Sequence, residues 1–208
     1  MVEEAPTEPR SSPLAVLVPV KAFSRAKLRL SEVLDPAARD ELARGMAATV
    51  VRAAGDLPTA VVCDDEDVRS WANALAVEVV WTPGLGLNGA VEAGVAHLAR
   101  RGARQVIVAH ADLPLATDLA WVGHFGGVTL VPDRHGDGTN VASVPATAGY
   151  RFAYGGGSFT RHRAEAARLG LALRIVPDEA LGWDVDVPAD LDLPNPPAPE
   201  PPVEVPCR

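Results

Sequence analysis

Residues 102–115, GARQVIVAHADLPL, decide how the rest of the chain is read. Gly102 stands where a preceding helix should stop. Gln105 to Ala109 is an apolar run of strand length, and the turn beyond it delivers Asp112. A short run that is apolar on successive residues is a strand buried on both faces, as in parallel sheets.

The same unit recurs upstream. Asn88 is expected to cap a helix running to about Arg101, and Val77 to Trp81 reads as the strand before it. Asp65 to Ala74 reads as a helix after a strand at Pro58 to Cys63. Before these, Asp35 as N-cap and Pro36 at the first helical position open a helix to about Ala54, closed by Gly55. Leu14 to Val20 is the first strand. Strands alternating with helices predict an α/β fold: a Rossmann-like three-layer sandwich with a mostly parallel sheet.

Downstream the alternation changes. Gly127 to Val131 and Asn140 to Val144 read as strands around the turn-rich PDRHGDGT. Ser158 is expected to cap a helix to about Leu169, Leu171 to Val176 is a further strand, and Pro188 to Leu191 a last helical turn with Asp190 as its cap.

The chain has 208 residues, 48% hydrophobic and 22% charged, which suits one globular body. Of 19 prolines, three precede residue 14 and seven follow residue 193. Residues 1–13 are therefore expected to be a disordered arm, 14–193 a single domain, and 194–208 a proline-rich disordered tail. Net charge −8 opposes non-specific binding to nucleic acid or anionic membrane. No apolar run has the length of a membrane span, the acidic N-terminus is not a secretory signal, and a cytoplasmic setting is expected. With only Cys63 and Cys207, a disulfide framework and a multi-cysteine zinc site are excluded.

In open parallel sheets, ligands bind beyond the carboxyl ends of the strands. The loop after the first strand carries Lys21, Arg25, Lys27 and Arg29 and no acid, and it holds both lysines of the chain against 17 arginines elsewhere and here. A compact ammonium facing a polyphosphate explains that retention, and a solvated basic loop is the plain alternative. After the third strand, Gly84, Gly86 and Gly89 satisfy G-x-G-x-x-G. A dinucleotide site, a bare connection, and a backbone approach to a nucleotide with Asn88 at the helix start all fit that pattern, and the last fits best.

Asp112 ends a buried strand, where a carboxylate has no packing purpose, although a turn role would also fit. In WDVDVPADL, Asp184 and Asp186 share one side of an extended segment by their i, i+2 spacing. Three carboxylates without a cysteine or histidine cluster suggest Mg²⁺ completed by phosphate oxygens and water, against a capping role for Asp186. Thr139 and Asn140 follow a flexible loop, and Gly155 to Ser158 with Arg161 and His162 offer an anion pocket, unless Ser158 is only a cap. His110, His124 and His135 read as structural or exposed.

Taken in order, VPVK, AKLRL, GLNGAVEAG, HADLPL, DGTN, YGGGSF and WDVDVPADL resemble the guanylyltransferases that make the activated phospho-acid precursor of the deazaflavin coenzyme F(420). The resemblance runs from about Val16 to Leu191. It implies a nucleotidyltransferase sandwich of the MobA-like or GT-A-like type and transfer of GMP from GTP to a small phospho-acid. It further implies Mg²⁺ on Asp112, Asp184 and Asp186, and the phospho-acid on Thr139, Gly155 and Ser158. Lys21 and Lys27 are then catalytic, acting on the triphosphate with Arg25, while Gly86 and Asn88 lie near the nucleoside. Phosphoenolpyruvate is the favoured acid, with 2-phospho-L-lactate and 3-phospho-D-glycerate as alternatives. The partners implied are GTP and the acid, with no nucleic acid or membrane. The product passes to the next enzyme of the pathway, and the choice between monomer and homodimer stays open.

Rival readings are a molybdopterin-type or sugar-phosphate nucleotidyltransferase, a nicotinamide-dependent oxidoreductase, and a non-catalytic binding protein. The first usually opens with a glycine-rich loop after the first strand, and this chain has none there.

Overall fold

The computed structural model describes residues 13–194, so nearly all of both expected arms lies outside the described residues. Seven strands form one sheet in the order β3-β2-β1-β4-β6-β5-β7. The strands are β1 Leu14–Pro19, β2 Thr59–Cys63, β3 Glu78–Trp81, β4 Gln105–Ala109, β5 Val128–Pro132, β6 Thr139–Pro145 and β7 Leu173–Ile175. The helices are α1 Pro36–Ala53, α2 Glu66–Ala74, α3 Gly86–Arg100 and α4 Ser158–Arg168. Only β6 runs antiparallel to its neighbours β4 and β5; every other pairing is parallel. The mostly parallel α/β sandwich is therefore as the sequence predicts.

Period-two alternation divides the core into two faces. Val16, Val18, Val61 and Ile107 point towards α1 and α2, meeting Ala47, Val50, Val68 and Ala72. Ala15, Leu17, Val62 and Val108 point the other way, towards Val91, Val95 and Leu98 of α3 and Ala166 of α4. Contact with α3 is tight. A Cβ on Gly94 would stand 2.7 Å from side-chain carbons of Leu17 and Val62, so a hydrogen there sets the spacing of helix and sheet.

Local signals were accurate at the start of α1 and α2. Asp35 accepts the Ala38 N–H at 2.8 Å ahead of Pro36. Asp65 accepts the Asp67 and Val68 N–H groups. Two expected caps fail. Helix α3 begins at Gly86, so Asn88 lies inside its first turn and its Oδ1 instead accepts the Tyr154 N–H at 2.8 Å. Helix α4 begins at Ser158 after a left-handed Gly157, and the Ser158 hydroxyl accepts the Thr139 N–H at 3.1 Å. In both cases a tertiary donor outbids the local one. No described helix is long and apolar enough to cross a membrane.

Candidate functional site

The chain leaves β1 towards β2 on one side and later returns to β4 on the other. That reversal opens a crevice at the carboxyl ends of β1 and β4. A cleft of about 380 Å³ lies there, walled by Lys21, Arg25, Lys27 and Arg29 from one loop and His110, Asp112 and Asp186 from the other side.

The basic loop folds as two 3₁₀ turns, Phe23–Arg25 and Leu28–Leu30, pinned by the buried Phe23 and Leu30. Between them Lys27 takes φ 53°, a left-handed conformation that costs a non-glycine residue of order 1 kcal/mol. That turn sends its side chain inward until it is 9% exposed, with Nζ 2.6 Å from Asp112 Oδ2 and 3.1 Å from Asp186 Oδ1. Burial by itself would lower the Lys27 ammonium, but the two carboxylates override it and hold the group above its ordinary value. Asp112 behaves conversely: burial would raise it, and Lys27, with His110, holds it below the ordinary carboxylate range.

Asp184 and Asp186 flank the buried Val185; Asp184 feels the charge of Asp112, and Asp186 reaches Lys27. The Val185 N–H donates to the Asp112 carbonyl at 3.2 Å. Asn140 holds Asp184 Oδ1 at 3.3 Å while also donating to the Leu181 carbonyl. Burial and the negative charge of Asp112 raise the Asp184 carboxyl. The segment is braced from behind. Asp190 accepts the Asp186 and Val187 N–H groups at 2.7 and 2.8 Å, the capping role expected of it. Arg134 pairs with Asp190 and stacks 4.3 Å from the centre of the Trp183 ring.

Asp112 Oδ1 is buried without a hydrogen-bond partner, and so is His110 Nε2. His110, which the sequence reads as structural or exposed, lines the cleft wall. Its i, i+2 spacing from Asp112 at a strand end was the signal that could have found it. Gly86 takes φ 64° at the start of α3, and its neighbour Leu87 lines the cleft.

Thr139 and Ser158 are brought together, although neither lines this cleft. Each is 2% exposed, and they are joined by the Thr139 N–H to Ser158 Oγ bond. Arg161 turns back onto its own loop. Its guanidinium donates to the carbonyls of Ala153, Gly155 and Gly156, and so shapes the glycine loop from within. Asp137 accepts the Gly157 N–H at 2.9 Å and ties that loop to the turn before β6.

Among known proteins, the family model for "Guanylyl transferase CofC like" matches residues 14–193. A phosphoenolpyruvate guanylyltransferase of Sphaerobacter thermophilus is 35% identical over 185 residues, covering 85% of this chain and 89% of the relative. A 2-phospho-L-lactate guanylyltransferase of Natrialba magadii is 35% identical over 197 residues, covering 85% and 80%. A putative nucleotide-diphospho-sugar transferase from Desulfovibrio desulfuricans superposes with a TM-score of 0.67 over 86% of this chain and 85% of that one, at 17% identity, a likeness of fold.

Proposed function

Because this chain belongs to the CofC-like guanylyl transferase family, we propose that it transfers GMP from GTP to the phosphate of a small phospho-acid, phosphoenolpyruvate first among them. The product would be enolpyruvoyl-2-diphospho-5'-guanosine, with pyrophosphate released. The carrying observation is the meeting of a lysine- and arginine-bearing loop with aspartates in one cleft at the sheet's switch point. We read residues 14–193 as one nucleotidyltransferase domain working in the cytoplasm on precursors of coenzyme F(420).

A phosphate oxygen of the acid attacks the α-phosphorus of GTP in line, and the bond to the leaving pyrophosphate breaks. The nucleophile is already anionic at neutral pH, so no strong base is required. What the protein contributes is positioning and charge neutralisation. Lys21 and Lys27, with Arg25, are suited to hold the triphosphate and to stabilise the pyrophosphate as it departs. Gly86 at the left-handed start of α3 leaves the backbone open to the nucleoside, and Asn88 is the polar side chain one turn in. Thr139, Gly155 and Ser158 are the groups we assign to the phospho-acid.

Residues around Asp112 fit a hard divalent cation such as Mg²⁺. The orphaned Asp112 Oδ1 and the raised Asp184 carboxyl mark an all-oxygen site short of positive charge. Among the described residues no three potential ligands stand close enough to hold an ion by themselves, and Lys27 fills the gap between Asp112 and Asp186. Mg²⁺ usually takes one or two carboxylates and completes its shell with phosphates and water, so this shortfall suits a metal that arrives with nucleotide. Asp112, Asp184 and Asp186 would hold it, and when bound it neutralises charge on the reacting phosphates.

Pyrophosphate release from GTP and Mg²⁺ tests the reading, with phosphoenolpyruvate, 2-phospho-L-lactate and 3-phospho-D-glycerate supplied separately. Release that depends on one acid, with a matching guanylylated product, is the expected result. Silence with all three acids across the nucleoside triphosphates would overturn it.

A further inference from the structure

His162, the fifth residue of α4, is fully buried, yet both ring nitrogens are engaged. The Ala153 N–H donates to Nε2 at 3.0 Å. A backbone amide can only donate, so Nε2 must be the unprotonated, accepting nitrogen. The ring stays neutral because burial, then the neighbouring charges of His110 and Arg161, push its pKa down to about 4, with Glu165 opposing weakly. Tyr150 and Tyr154 are the other titratable groups against the ring, both held neutral by burial. A neutral ring with a bare Nε2 carries its proton on Nδ1, which lies 3.0 Å from Thr139 Oγ1. His162 therefore donates to Thr139.

That fixes the polarity of the next group. The Thr139 hydroxyl accepts from His162 and must send its own proton elsewhere. Ser158 is in the same position: its hydroxyl accepts the Thr139 N–H, leaving its proton to donate. No hydrogen bond among the described residues takes either proton. Each residue is 2% exposed. Each hydroxyl accepts one hydrogen bond and keeps a second lone pair, but its proton has no protein acceptor, and two neighbouring uncommitted donors suit an oxyanion.

We propose that His162 is a positioning residue for the phospho-acid: by donating to Thr139 it turns the Thr139 hydroxyl into a donor towards the acid's phosphate or carboxylate. This rests on the reading that Thr139 and Ser158 hold that substrate. The ring itself never touches it. In the opposite tautomer the Thr139 hydroxyl would donate to the bare Nδ1 and turn only its lone pairs to the anion, and the amide of Ala153 prevents that tautomer.

The test uses the whole chain and phosphoenolpyruvate binding followed by calorimetry. His162→Gln keeps an acceptor near the Nε2 position and loses the donor to Thr139. His162→Asn keeps an amide donor near the Nδ1 position. Expected are binding about tenfold or more weaker in His162→Gln, partial recovery in His162→Asn, and an unchanged KM for GTP in both. In a double-mutant cycle, Thr139→Val with His162→Gln should be no worse than Thr139→Val alone. Equal binding by wild type and His162→Gln, or additive losses, would overturn the inference while leaving the transferase reading intact. No binding of any of the three phospho-acids by wild type would overturn both. A nitrogen-correlated NMR spectrum of the wild-type histidines checks the tautomer without any variant: a proton on Nε2 of His162 would refute the argument at its root.

Discussion

Replacing Lys27 by methionine tests the electrostatic core of the cleft. Methionine keeps most of the aliphatic stem and removes the ammonium. In the wild type that ammonium is 9% exposed and serves Asp112, 24% exposed, and Asp186, 51% exposed. Breaking a fully buried pair costs about 3–5 kcal/mol because the remaining charge is stranded, whereas an exposed pair is worth about 0–1 kcal/mol. Asp112 keeps a quarter of its surface, and the variant no longer has to bury an ammonium. Both reduce the loss to about 2 kcal/mol at neutral pH. For a chain of this size that corresponds to roughly 4–8 °C in the midpoint of thermal unfolding.

A second readout separates stranded charge from lost packing. With Lys27 gone, the gap between Asp112 and Asp186 is open and its charge uncompensated, so Mg²⁺ without nucleotide should bind and stabilise the variant. The wild type should respond far less, because there the ammonium holds the gap. The assay is thermal unfolding of both proteins with EDTA and with millimolar Mg²⁺, beside acid-dependent pyrophosphate release. Release should fall by orders of magnitude even where Mg²⁺ restores the midpoint, since stability and phosphate stabilisation are separate duties of one side chain. If Lys27→Met unfolds with the wild type in EDTA, or if Mg²⁺ shifts both proteins equally, the description of Lys27 as the resident counter-charge of Asp112 is refuted.

Asp112→Asn removes a proposed ligand at nearly constant shape and should lower pyrophosphate release by orders of magnitude while the protein stays folded; wild-type turnover would remove Asp112 from the chemistry. Stability should also carry a signature of His162. Its pKa is about 4 in the folded chain against 6.5 ordinarily, so the unfolded chain takes up the proton first as pH falls. The neutral ring's contribution is complete above pH 6.5 and is lost progressively down to pH 4, by roughly 3 kcal/mol. Urea unfolding of wild type and His162→Asn across that window should converge towards pH 4, and parallel curves would contradict the assignment. Gly94→Ala would push a methyl against Leu17 and Val62 and should cost about 1–3 kcal/mol by denaturant midpoint. An unchanged midpoint would mean that α3 can shift freely on the sheet.

Most of the architecture was legible because its signals are local. Apolar runs the length of a strand, Asp35 ahead of Pro36, and the glycines that end helices each act within a few residues of themselves. So does the i, i+2 spacing of Asp184 and Asp186 around a buried Val185. The failures have a common cause. Asn88 and Ser158 are residue types that cap helices, and each instead accepts an amide from a segment 66 or 19 residues distant. Arg161 looked like an anion ligand, yet three nearby carbonyls claim it. The sequence reads His110 as structural or exposed and puts His162 beside an anion pocket, and neither reading reaches what each ring nitrogen meets.

The α/β alternation, the crevice at the carboxyl ends of the strands, and the lysines and aspartates proposed for it can all be read along the chain. Short-range sterics and hydrophobic periodicity are sufficient for that much. Folding is what turns Lys27 left-handed between Asp112 and Asp186, and what brings the Ala153 amide to fix the tautomer of His162 and through it the polarity of Thr139. A hydrogen bond or an ion pair is strong only at contact distance in a dry interior, and folding alone brings residues 85 or 159 positions apart to that distance.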